Sequence, residues 1–332
     1  MKAWILFSFF LFSLLGTLNS SESKNNLNLS SPDQGISTFS IVARDSNASE
    51  LGVAVASRFF SVGSVVPWAK AGVGAVATQS FANTTFGWRG LEFLEKGNSA
   101  DEVVKHLLEK DDNPLRRQIG IVSANGNSAT YTGKDCIAWA GGVSGPDYAI
   151  QGNILAGEAV VKGMQKAFLE TKGTLAERMY AALVAGDANG GDSRGKQSAS
   201  LLVVKEGAGY GGYTDRAIDI RVDDHQEPFQ ELGRLLKLAQ TNYAWNLGWT
   251  LFTQKKYADA LPYQERAAVL APDNPEVFYD LAVIRLAAGK KGDALNALRK
   301  ALELNPKLKK QATEDKDLDG LRDDPAFQSL LK

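Results

Sequence analysis

The chain is 332 residues long, 44% hydrophobic and 23% charged, with a formal net charge of −1. This length allows one large or two ordinary domains, and the composition supports a buried core and excludes global disorder. Charge this balanced, without a Lys/Arg cluster, offers no phosphate-binding surface, so nucleic acid is excluded as a partner.

Met1-Lys2 followed by the charge-free apolar run 4–15 and the small, polar stretch 16–21 predicts a signal peptide over residues 1–20. The run is too short to cross a bilayer comfortably, so no membrane span is expected after cleavage. The expected location is periplasmic or extracellular, with an uncleaved N-terminal anchor as the alternative. Residues 21–37 are rich in Ser and Asn, lack hydrophobic periodicity and read as a flexible tether.

Order is expected from Thr38. Residues 38–44 alternate in a strand pattern, 45–50 form a turn, and 51–57 return as a buried strand. The stretch 72–80 is a third strand built of small residues. Helices are expected over 88–96 and 100–110, the latter opened by the capping-box pair Ser99 and Glu102. Asn125-Gly126 predicts a hairpin between 118–123 and 128–132. Two more helices (158–170, 175–185) and two strands (198–204, 217–222) complete a domain over 38–224. Strands, helices, strands, helices, strands in that order fit an α+β layered sandwich.

A helical domain is expected over 228–332. Pro272 and Pro306 are separated by one repeat period, and so are Leu247/Leu281, Ala260/Ala294, Ala267/Ala301 and Leu270/Leu304. This is the tetratricopeptide pattern, covering two repeats over 243–306. A helix over 228–240 and the tail 318–331 are expected to cap the exposed apolar ends.

The two histidines and one cysteine limit the chemistry. His106 is expected on a helix surface and His225 in an acidic linker. Cys136 has no sequence neighbour able to activate it and reads as a packed thiol. Acidic residues Asp215, Asp219, Asp223 and Asp224 read as solvated charges, so neither a metal nor another cofactor is expected. Four polar clusters interrupt strand ends: Ser57-Arg58; Thr78-Gln79-Ser80 with Asn83; Gln151 and Asn153; and Asp192, Arg194, Lys196 and Gln197. Either they satisfy one another or they converge on a pocket.

Several blocks in order, Thr38-Phe-Ser-Ile-Val-Ala-Arg-Asp, Glu50-Leu-Gly-Val-Ala-Val-Ala-Ser-Arg58, Val65-Val-Pro-Trp-Ala69, Gly72-Val-Gly-Ala-Val-Ala-Thr-Gln79, Gln151-Gly-Asn153 and Gly195-Lys-Gln-Ser198, resemble the bacterial domain-of-unknown-function family 1028. The resemblance runs from Thr38 to about residue 223. It implies the N-terminal-nucleophile hydrolase superfamily, a four-layer αββα sandwich, and a C-terminal helper domain, here the all-α repeat domain. By that resemblance Thr38 is the candidate nucleophile, its freed α-amine the base. Thr78, Gln79, Ser80 and Asn83 are candidate oxyanion donors, and Arg58 and Lys196 candidates for tuning the amine or holding an acidic substrate. Ser57, Gln151, Asn153, Asp192, Arg194 and Gln197 complete the candidate pocket. The Asp and Lys that support the nucleophile in the proteasome-like branch have no clear counterpart here, and a cut between Ser37 and Thr38 is required.

The implied activity is an exported amidohydrolase acting on a small amide or peptide-like substrate. The alternative is a non-catalytic ligand-binding or scaffolding protein, with a peptide or protein partner in the repeat groove. The sequence leaves a homodimer open.

Overall fold

Apolar and polar residues alternate at the start of strand β1 (Thr38–Asp45), and strand β2 (Glu50–Ser57) is a near-continuous run of β-branched and small apolar residues; the two pair antiparallel across a short turn. The computed structural model describes residues 38–332. The expected signal peptide (1–20) and tether (21–37) lie outside the described residues.

Eight more strands follow: β3 (Pro67–Lys70), β4 (Gly74–Ser80), β5 (Arg117–Ser123), β6 (Ser128–Thr132), β7 (Gly141–Gly145), β8 (Tyr148–Asn153), β9 (Ser198–Val204) and β10 (Arg216–Val222). They form a six-stranded sheet, order β10-β9-β2-β1-β8-β7, and a four-stranded sheet, order β3-β4-β5-β6. Helices α1 (Thr85–Glu95) and α2 (Ala100–Leu108) cover the smaller sheet, burying Phe86, Val103 and Leu107 against Val76, Ile119 and Ile121. Helices α3 (Glu158–Glu170) and α4 (Leu175–Ala188) cover the larger one, burying Met164, Phe168, Met179 and Leu183 against Phe39, Ile41 and Ile150. Val42, Val53, Val55, Ala75, Ala77 and Val122 fill the space between the sheets. The layers are therefore helix, sheet, sheet, helix, and the expected αββα arrangement is found.

Capping boxes start α2 (Ser99 with Glu102) and α4 (Thr174 with Glu177), satisfying donors that a helix cannot satisfy internally. The hairpin β5–β6 turns at Asn125-Gly126, with Gly126 at φ 89°. β3 and β7 lie outside the expected elements, and two further segments differ from expectation. No strand is expected over 148–153, yet these residues, which include the polar pair Gln151 and Asn153, are the strand β8, paired with β1. The helix expected over 228–240 continues to Thr253 as α5 (Pro228–Thr253), because no Gly or Pro falls between Gly233 and Gly248 to stop it.

Helices α6 (Tyr257–Leu270), α7 (Pro275–Ala287) and α8 (Lys291–Leu304) complete the two repeats. Small residues lie where helices touch: Ala244, Ala260, Ala282, Ala294 and Ala301 are buried. Trp245 Nε1 donates to Asp280 Oδ2 at 2.7 Å, and one repeat later Tyr279 OH donates to Asp315 Oδ2 at 2.8 Å. Beyond α9 (Leu308–Glu314), Leu318, Leu321 and, on α10 (Pro325–Leu331), Phe327 close the apolar end of the stack. No helix among the described residues is long and apolar enough to cross a membrane.

Candidate functional site

A strand turns alternate side chains to opposite faces. On β1, Phe39, Ile41 and Ala43 face the helices, which sends Thr38, Ser40 and Val42 between the sheets. The same alternation sends Ser57 of β2, Gln151 and Asn153 of β8, Gln79 of β4 and Gln118 of β5 into that layer. The inter-sheet space is thus apolar at one end and lined with hydroxyls and carboxamides at the other.

These groups meet. Gln79 Nε2 donates to Gln118 Oε1 (2.8 Å) and to the Thr38 carbonyl (3.2 Å). Asn153 Nδ2 donates to the same Gln118 Oε1 at 2.9 Å. Gln118 Nε2 in turn donates to the Gly152 carbonyl (2.7 Å) and Thr132 Oγ1 (2.9 Å). Ser40 Oγ donates to Gln79 Oε1 (2.5 Å) and accepts from Gln151 Nε2 (2.6 Å). Thr38 Oγ1 lies 3.4 Å from Ser57 Oγ, its donor–acceptor partner on β2. Thr38, Ser40, Gln79, Gln118, Gln151 and Asn153 are all fully buried. Gly120 makes room: a Cβ there would collide with the Gln151 carboxamide. Buried carboxamides that bond one another specify a single arrangement of both sheets.

The other candidates occupy neighbouring positions. Thr78 and Ser80 alternate with Gln79 and face the helix layer. Thr78 Oγ1 donates to the Asn83 carbonyl at 3.2 Å. Ser80 adopts a left-handed backbone (φ 65°) and hydrogen-bonds the Cys136 thiol. Burial pushes that thiol up, so Cys136 is a poor thiolate. Asn83 donates to Asp111 at 2.9 Å and accepts from Thr85 Oγ1 at 2.8 Å, tying the start of α1 to the loop before β5. Burial pushes the Asp111 carboxyl up, but hydrogen bonds from Arg117, Asn83 and the Asn113 backbone outweigh it and hold it below the ordinary value.

At the ends of β2 and β9, Asp192 is the hub. It accepts from the Arg58 backbone N–H (2.8 Å), the Arg194 backbone N–H (2.9 Å) and the Arg194 guanidinium (3.1 Å). The Arg58 guanidinium is exposed and donates to the Lys196 carbonyl at 3.3 Å. Lys196 Nζ sits 2.6 Å from Glu227 and 3.5 Å from Asp187, and its ammonium is pushed up, first by the Glu227 hydrogen bond. Gln197 donates to Asp224 at 3.1 Å. The structure therefore brings Thr38, Ser57, Gln79, Gln151 and Asn153 together, and gathers Arg58, Asp192, Arg194, Lys196 and Gln197 beside them on the surface. Thr78, Ser80 and Asn83 belong to the opposite face of β4 and its helix cover. Gln118 and Ser40 were not singled out from sequence, although each is a polar residue at an inter-sheet position of an otherwise apolar strand.

His106 lies on α2 against the Phe93 ring, centroids 5.2 Å apart, and His225 accepts from the Glu227 backbone N–H at 3.0 Å. Among the described residues no group of three His, Cys, Asp or Glu is placed to hold a metal.

A family profile described as a family of unknown function, DUF1028, matches residues 38–232, and a tetratricopeptide-repeat profile matches 251–312. The crystal structure of a protein from Silicibacter pomeroyi carrying the same DUF1028 assignment is similar over 64% of this chain and 90% of its own, at 29% identity and a TM-score of 0.58. No curated protein matches the chain. With more than half of its length under that profile, the chain belongs to the DUF1028 family, and tetratricopeptide repeats follow the family domain.

Proposed function

We propose that the chain is the precursor of an exported amidohydrolase in which Thr38 becomes the N-terminal nucleophile once the bond after Ser37 is cut. The observation that carries this reading is the place of Thr38. It is the first residue of a central strand, buried where carboxamides from β4, β5 and β8 converge. After cleavage, the α-amine of Thr38 takes the Oγ1 proton as the oxygen attacks an amide carbonyl, and passes it to the leaving amine as the acyl–enzyme forms. Water then hydrolyses the ester by the same route. No histidine is needed, which suits this chain.

The surroundings favour an uncharged amine. Among the described residues, the groups that touch Thr38 in the buried layer are neutral hydroxyls and carboxamides, and burial disfavours an ammonium among them. The amine is thus expected to titrate below the ordinary value of about 7.7–8.0, leaving it able to accept a proton near neutrality. Gln79 and Asn153 carry the N–H donors suited to an oxyanion.

N-terminal sequencing and intact mass of the protein recovered from its native compartment test the reading first. The expected N-terminus is Thr38; a mature chain that keeps residues before it ends the proposal. On processed protein, Thr38→Ala is expected to abolish hydrolysis of a panel of small N-acyl amides and Thr38→Ser to retain part of it. The acid limb of kcat/KM is expected below about pH 7.7.

A second reading rests on the closure of the polar network, whose members bond one another with Thr38 fully buried. In it the sandwich is a catalytically silent scaffold, and the repeats hold a peptide or protein partner. Full-length mature protein without amidase activity, together with a partner lost on deleting 254–332, is the outcome that selects this reading.

A further inference from the structure

At the end of the large sheet away from Thr38, a cavity of about 390 Å³ opens between the sandwich and helices α5 and α6. Glu50 begins β2 and Ser57 ends it, so this cavity lies roughly 23 Å along the strand from the Thr38 cluster. Its walls include Val203, Ile218, Ala244 and Leu270, and its polar groups include Glu50, Lys205, Tyr243 and Arg266.

The β2–β9 register pairs Leu51 with Val204, which makes Glu50 and Lys205 the next rung. Alternation puts both on the helix side, with Ala54 and Val203. Opposite charges on one rung ordinarily close on each other. Here they do not: the carboxylate and the ammonium feel each other, yet form no ion pair within 4.0 Å, and neither side chain hydrogen-bonds another described residue. The Tyr243 hydroxyl also lacks a partner among the described residues. Burial pushes both the Glu50 carboxyl and the Tyr243 phenol up, Lys205 partly offsetting the first. Arg266 is held at the rim by Glu177, 2.8 Å away, with further N–H donors to spare.

An open acid–base pair facing an apolar wall matches one small-molecule chemistry. A free α-amino acid carries an ammonium and a carboxylate side by side, at the spacing of neighbouring side-chain heads, with its side chain projecting away. A dicarboxylate would meet Glu50 unfavourably, and a diamine would meet Lys205 and Arg266. We propose that this cavity binds a free α-amino acid with an apolar side chain, its ammonium on Glu50, its carboxylate on Lys205 and Arg266, and its side chain against Ile218 and Leu270. The site is separate from the Thr38 cluster and independent of whether that cluster is catalytic.

Titration calorimetry of the full chain with L-leucine, N-acetyl-leucine and leucinamide tests this. Leucine is expected to bind, and masking either charge to weaken binding about tenfold or more. Glu50→Gln, nearly isosteric, is expected to weaken leucine to the level of leucinamide and to leave a thermal midpoint no lower than that of the parent. Lys205→Met is expected to erase the preference for leucine over leucinamide. Thr38→Ala is expected to bind leucine unchanged. Absence of leucine binding to the full chain, equal binding of all three probes, or leucine affinity unchanged in a folded Glu50→Gln variant each overturns the proposal.

Discussion

Gln118 holds the polar end of the sandwich together. Its carbonyl oxygen accepts from both Gln79 and Asn153, and its amide nitrogen bonds the Gly152 carbonyl and Thr132. Removing such a residue loses more than its own hydrogen bonds, because the partners remain buried and each unmade bond costs about 1–3 kcal/mol. Gln118→Leu is therefore expected to destabilise the chain by about 2–4 kcal/mol in urea unfolding. Asn83→Ala, in the partly solvated turn before α1, is expected to cost about 1 kcal/mol. Equal losses for the two would mean that the network is not cooperative. These residues also show what sequence reading could reach. Gln79 stands out as polar in an apolar strand, but grouping it with Thr78, Ser80 and Asn83 overlooks the alternation along Ala75, Ala77 and Gln79, which sends it to the opposite face from Val76, Thr78 and Ser80. Gln118, flanked by Ile119 and Ile121, carried the same signal. What no single strand reveals is which strands become neighbours, and the convergence on Thr38 depends on that.

Among the elements, legibility followed the strength of the local pattern. Strand β1 alternates at its start, β2 and β4 are short apolar runs bounded by turn residues, and α2 opens on the capping box Ser99 and Glu102, so these are readable. Strand β8 is not, because Gly145 and Gly152 bracket a short apolar segment and lead into a helix, although Tyr148-Ala-Ile-Gln has strand composition and the whole strand is buried. The repeats were readable from their period, but the hydrogen bonds between them were not. Trp245 donating to Asp280 and Tyr279 donating to Asp315 form one contact repeated along the stack. Burial dominates at Asp280: it pushes the carboxyl up to about 6, against the Trp245 hydrogen bond, with Asp315 and Glu276 adding repulsion. A carboxyl raised on folding binds its proton more tightly in the folded state. Its contribution is therefore most favourable below about pH 4 and is lost as pH rises through 6. Asp280→Asn keeps an acceptor for Trp245 and removes the charge. The variant is expected to gain stability relative to the parent between pH 4.5 and pH 7.5, measured by urea unfolding with Trp fluorescence. A difference that is flat or falls with pH would show that Asp280 stays ionised throughout.

Over the whole molecule, α5 belongs to both halves. Its first turns bury Phe229, Leu232 and Leu236 in the core formed by the large sheet with α3 and α4. Phe229 stacks on Phe39 with centroids 6.2 Å apart, and its carbonyl accepts from Tyr180 OH at 3.0 Å. Its later turns pack on α6 as the first helix of the repeats. Phe39 directly follows the candidate nucleophile, so the helix that begins the repeats also backs the strand that presents Thr38. A family domain cut where the strands end, at Gln226, loses these three side chains, each worth about 1.5–3 kcal/mol on burial. That sum rivals the whole stability of an ordinary domain, about 5–15 kcal/mol. A chain ending at Gln226 is therefore expected to be largely unfolded or aggregated. One ending at Asn242 retains Phe229, Leu232 and Leu236 and is expected to give cooperative unfolding and native-like near-UV dichroism. If the shorter chain folded as stably as the longer, α5 would be a linker helix resting on the sandwich, and coupling between the repeats and β1 would have no physical route through it.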